Sequence, residues 1–213
     1  MYGQGSPSPD TSSQPDQAPA GNDAQGRDAK GIPARASAAD YQAHAQAGTV
    51  TIAAEFTGHS IAMPESILSN EDYVMVEVAL FGPPQARLRI AHEDFSIRIN
   101  GKKVPSPADP YGLVFRSLKD PELAPPSNES KSKTSIGGSG NPGDPPPAPV
   151  HVPIEVERAM EQHVQKAALP EGDRLLPEAG LLFFEHHGKV QGIKSIELIY
   201  NGAAGKATLA LQP

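Results

Sequence analysis

Tyr73-Val74-Met75-Val76-Glu77-Val78-Ala79-Leu80-Phe81 is the longest uninterrupted run of strand-favouring residues in the chain. In an extended backbone successive side chains point to opposite faces, so Val74, Val76, Val78 and Leu80 share one side. Tyr73, Met75, Glu77, Ala79 and Phe81 share the other, which carries the run's single charge. The pattern predicts a central strand of a sheet, fully buried on the valine side and partly covered on the other.

Reading outward, Thr49-Val50-Thr51-Ile52-Ala53-Ala54-Glu55-Phe56 alternates with Val50, Ile52, Ala54 and Phe56 inward and predicts a first strand. Downstream, Gly82-Pro83-Pro84 closes the central strand, because neither proline can donate to a ladder. Residues 87–91 and 95–100 read as the next strands, the second with Phe95, Ile97 and Ile99 facing in. Asn100-Gly101 then signals a tight hairpin turn, since both positions tolerate positive φ; a tip at Gly101-Lys102 is the alternative. Residues 113–118 predict a further strand after the turn at residues 109–112. Pro153 opens an amphipathic helix over about 153–168, with Met160 and Val164 on its apolar stripe, placed at an open end or edge of the sheets. Residues 173–180 read as a connection, and residues 181–185, 194–200 and 206–212 as the last strands.

The 213 residues include 23 prolines and 20 glycines, and these are clustered. Residues 1–47 are almost without aliphatics and cannot bury enough apolar area to offset the entropy of ordering, so they read as a disordered tail. A transient helix around residues 36–46 is the one local preference there. Residues 48–213 read as one domain, interrupted at about 119–151 by a disordered Pro/Gly/Ser-rich insertion, which a fold tolerates because loop-closure entropy grows slowly with length. Seven to nine strands and one accessory helix make a mainly β domain with the arithmetic of a β-sandwich.

A net charge of −7 with both signs mixed disfavours nucleic acid, whose affinity comes from clustered Lys and Arg. No stretch approaches the ~20 apolar residues that span a bilayer. No cysteine is present, which excludes disulfides, thiolate nucleophiles and cysteine-ligated zinc. The start, Met1-Tyr2-Gly3-Gln4, fits either a cytosolic beginning or an export signal already removed. There is no nucleophile elbow, H-E-x-x-H, phosphate loop or dinucleotide turn, so no catalytic residue and no cofactor is predicted. The remaining chemistry lies in seven histidines. His92 with Glu93, and the adjacent His186 and His187, are the candidate metal ligands, against the plainer reading of solvated turn histidines.

With the strands placed, four segments carry a resemblance: residues 73–78, residues 92–104 (His92-Glu93-Asp94-Phe95 through Asn100-Gly101-Lys102-Lys103-Val104), residues 176–184 and residues 196–200. In strand order and in the D-F … N-G hairpin they resemble the telokin-like, immunoglobulin-like domains of uncharacterised bacterial exported proteins. The resemblance implies a periplasmic or secreted β-sandwich with no established catalytic residues. The proline-rich insertion and the helix near Pro153 depart from it. The expectation is a non-enzymatic module that binds or assembles with a protein or cell-envelope partner through an edge strand or loop. The alternative is a metal or small-ligand carrier using His92, Glu93, His186 and His187.

Overall fold

A computed structural model of the chain describes residues 29–62, 67–115, 118–119 and 154–213. Its strands, in chain order, are β1 (Ala43–Ala47), β2 (Val50–Gly58), β3 (Ser60–Ala62), β4 (Ile67–Asn70), β5 (Tyr73–Phe81), β6 (Arg87–Ile90), β7 (Phe95–Ile99), β8 (Ser106–Pro107), β9 (Leu118–Lys119), β10 (Gly172–Leu175), β11 (Glu178–Glu185), β12 (Ile196–Gly202) and β13 (Gly205–Leu211). Two helices, α1 (Tyr111–Val114) and α2 (Ile154–Ala167), complete the described residues together with short 3-10 turns. The strands form two four-stranded sheets, ordered β1-β2-β5-β11 and β13-β12-β7-β8, and two small ones, β10-β6 and β3-β4-β9. All their pairings are antiparallel, so the molecule is mainly β.

The alternation of the central strand sets the architecture. Val74, Val76, Val78 and Leu80 are fully buried and share one cluster with Phe95, Ile97, Leu198 and Tyr200 of the second sheet. Leu88 and Ile90 of β6 close one side of that cluster. The Asn100-Gly101 turn has φ values of 53° and 67°, as the hairpin signal requires. The Asn100 side chain also accepts from the amides of Lys194 and Ser195 and donates to the Gly192 carbonyl, fastening the approach to β12. The returning arm is short: it pairs only over Ser106–Pro107, opposite Ile97 and Ser96, with Pro105, which has no amide hydrogen, just before it.

Four expectations are corrected. The supposed tail is placed from Ala29 onward: Ile32 bridges Ala179, Ser37 caps a 3-10 turn at Ala38–Asp40, and β1 pairs along β2. Residues 111–114 form α1 where the end of a turn and, from residue 113, a strand were expected, and the Val114 carbonyl accepts from the buried Asn70 side chain at 2.9 Å. Residues 172–175 form β10 against β6 where a connection was expected. Helix α2 lies on the outer face of the first sheet instead of at its end: Met160, Val164 and Ala167 pack with Met75, Leu181 and Phe183. The insertion expected at about 119–151 falls almost wholly outside the described residues.

The first sheet is therefore covered on both faces. Its β11 edge is also occupied, by three separate segments. The carbonyls of Ala179, Leu181 and Phe183 accept from the amides of Ile32, Leu169 and Asp109 at 2.9, 3.0 and 2.8 Å.

Candidate ligand-binding site

The outer face of the first sheet is built in rows that follow its register. Ala53, Ala79 and Ala179 stand side by side, and their small side chains let the incoming strap, residues 29–41, lie close. Tyr41, Ile32, Ala34 and Ala38 pack onto this alanine row with Phe81. Gly31 holds φ at +73°, and any Cβ there would run into the Ala179 carbonyl. Further along the strands, Met75 and Phe183 form another row, and this one lies under α2 and α1. Between strap and helix lies the row Glu55, Glu77 and Leu181.

Glu77 and Leu181 of that row floor a trench of about 520 Å³, mostly apolar in lining. Gly31, Ile32 and Pro33 form one wall, His163, Lys166 and Ala167 the other, and Thr57 and Ser60 also line it. The volume lies in the ~300–1,000 Å³ range typical of small-ligand sites.

One cation organises the charged part of the floor. Arg35 reaches from the strap and pairs with both Glu55 and Glu77, the latter at 3.0 Å. Burial works against its charge, but the two carboxylates outweigh that and raise its pKa. The guanidinium also stands 4.5 Å from the Tyr41 ring centroid, and the Arg35 amide donates to the Tyr41 hydroxyl at 3.1 Å. Burial pushes the Tyr41 phenol up, and the Glu77 charge acts in the same direction. The strap is thus held by apolar contact with the alanines and by an ion-pair cluster over the glutamates.

The histidine candidates do not come together. His92 faces Glu171, which accepts from its ring and, at 2.8 Å, from its backbone amide. The Glu171 hydrogen bond raises the His92 pKa against the opposing effect of burial. Burial would raise Glu171, yet its bonds from His92 hold it below the ordinary value. Glu93 follows in the same 3-10 turn and is exposed. His187 is an exposed bridge between Glu185 at 2.7 Å and Asp72 at 3.2 Å, and Glu185 first, then Asp72, raises its pKa. His186 stacks with His59 at 6.3 Å, and burial lowers its pKa, followed by the effect of His59. Among the described residues no group of three or more His, Asp or Glu side chains is arranged to hold a metal ion.

Sequence reasoning passed over Arg35, Ile32, His163 and Lys166. The available signal was Glu77 itself, a lone carboxylate in the middle of the most apolar strand, opposite an unassigned cover. No helix among the described residues is long and apolar enough to cross a membrane. Set against family models, curated proteins and solved structures, the chain matches none.

Proposed function

We propose that this protein is a non-enzymatic binding module that takes a small, largely apolar ligand in the trench between the strap and α2. A single observation carries this reading. An outer sheet face that is otherwise closed by alanine-row and helix packing is left open over one row, with a volume suited to a small molecule. An immunoglobulin-like sandwich of extracytoplasmic type goes with this proposal, supported by the strand-order resemblance and by two antiparallel sheets around one core. The trench favours a ligand carrier over a metal carrier, because its lining offers apolar surface and few liganding groups.

The test is binding of a neutral apolar fluorophore, Nile red, to the full chain. Saturable, stoichiometric binding is expected, and Ala167→Trp should remove it by filling the trench while the far-ultraviolet spectrum stays native. Ser60→Trp, at an exposed position of the same trench, repeats the test should Ala167→Trp not fold. Binding unaffected by a folded variant of either kind sinks the proposal.

A second reading, assembly through an edge strand, has one observation in its favour. The β11 edge is occupied by other segments, whereas β13, though it runs beside β1, forms a ladder with β12 alone among the described residues. Sedimentation velocity across a concentration series decides it: a reversible dimer supports assembly, and a monomer throughout removes it.

A further inference from the structure

We infer that the trench is built for a dipolar ligand: an apolar body carrying a protonated amine at one end and a carboxylate at the other, the chemistry of a short apolar peptide. This rests on the trench being the binding site and goes further by naming the ligand class.

The inference follows from which charges the protein has already spent. On the floor one guanidinium serves two carboxylates, so the cluster of Arg35, Glu55 and Glu77 retains one net negative charge. Glu77 is the member that lines the trench, with its side chain only 14% exposed, and a partly desolvated carboxylate holds a cation more strongly than a solvated one. On the opposite wall Lys166 and His163 stand three residues apart on α2, hence on one helix face. Among the described residues Lys166 makes no ion pair, and neither it nor His163 makes a side-chain hydrogen bond. Glu77 and Lys166 thus present opposite signs on different sides of one apolar space.

A purely anionic amphiphile meets the surplus negative charge of the floor, and a purely cationic one meets Lys166. A molecule with both ends satisfies both, its amine toward Glu77 and its carboxylate toward Lys166 and His163. Ile32, Pro33, Ala167 and Leu181 then receive its apolar side chains. The Ser60 hydroxyl, without a partner among the described residues, is free for a peptide group. A largely covered carboxylate such as Glu77 gives specificity chiefly by penalising ligands that leave it unmatched, and the exposed Lys166 adds the opposite sign at the other end.

The experiment is isothermal titration of the full chain with four probes: leucyl-leucine, its N-acetyl form, its C-terminal amide, and the doubly capped, uncharged form. The free dipeptide should bind tightest, with N-acetylation weakening it about tenfold and amidation, which meets the exposed Lys166, by roughly two- to fivefold. In Glu77→Gln the penalty for N-acetylation should disappear, and in Lys166→Met the penalty for amidation should disappear. Lys166 is outside the ion-pair cluster that holds the strap, so its variant carries the test if Glu77→Gln loosens that segment. Equal affinity for all four probes overturns the dipolar ligand while leaving the trench a binding site. Nile red binding without any peptide binding overturns it in the same way. If neither peptide nor Nile red binds, the trench reading falls and takes this inference with it.

Discussion

Removing the Tyr41 side chain tests how the strap is held. Tyr41 is 5% exposed, lies on the alanine row, meets Phe81 edge-on at 6.1 Å between centroids and carries the Arg35 guanidinium over its ring face. A buried tyrosine takes some 150–250 Å² out of water, about 4–6 kcal/mol at ~25 cal/mol per Å². Truncation to alanine retains part of that burial, and a strap can settle into the space, so the lower end of the usual range for aromatic-to-alanine changes applies, about 3 kcal/mol. For a chain of this length the loss corresponds to a fall in Tm of roughly 6–12 °C. Tyr41→Phe isolates the hydroxyl, which accepts from the Arg35 amide, and should cost only about 1 kcal/mol. The assay is urea unfolding followed by circular dichroism, paired with hydrogen exchange at the Ile32 amide, which bonds the Ala179 carbonyl. Tyr41→Ala should speed exchange at Ile32 far more than at Leu198 in the second sheet. A Tyr41→Ala variant within about 0.5 kcal/mol of wild type, with Ile32 still protected, would refute the account of the strap.

Gly31→Ala should release the strap from its other end, with a loss of about 1–3 kcal/mol and the same Ile32 exchange signature, because φ is +73° and the added Cβ meets Ala179 backbone. Val76→Asp should abolish cooperative unfolding, since it places an unpaired carboxylate at a position with no exposure between the two sheets; a surviving native transition would contradict the register. The His92–Glu171 pair should give a pH-dependent contribution. His92 is raised above its ordinary 6.5, so its share is full below that value and is lost as pH rises through the folded value. Glu171 is lowered from 4.5, so its share is full above 4.5 and is lost as pH falls through the folded value. The stability gap between wild type and Glu171→Gln should therefore be widest between these two ordinary values and narrow on both sides; a gap independent of pH counts against the pair.

The central strand was legible because one period-2 pattern fixed both its bounds and its faces, and the Asn100-Gly101 turn because few residues accept two successive positive φ values. The strap was not legible for an equally physical reason. Ile32 and Tyr41 are isolated apolar residues in a polar, alanine-rich segment, and their burial depends on a complementary row of alanines drawn from three other strands. At residues 113–115 a β-favouring triplet becomes a helical turn because Asn70, buried beneath it, donates to the Val114 carbonyl and accepts from the amides of Asp72 and Tyr73. Strand β10 has no apolar alternation to announce it, only backbone pairing to β6. The trench draws three residues each from the strap and α2 and one each from β2, β3, β5 and β11, and no local pattern encodes such a gathering. The histidines drew attention by residue type, yet His92 and His187 are each answered by nearby carboxylates.

The three amides that meet β11 come from parts of the chain remote from one another in sequence: before β1, after β8 and after α2. Two of them, Ile32 to Ala179 and Asp109 to Phe183, form only after long loops have closed, so they belong to the late steps of folding. Until then β11 presents bare carbonyls at one of the most apolar strands of the molecule, Glu178–Glu185. Refolding yield should accordingly fall with protein concentration, even though the finished molecule conceals that edge, because a second chain can reach the strand before Ile32 and Asp109 arrive.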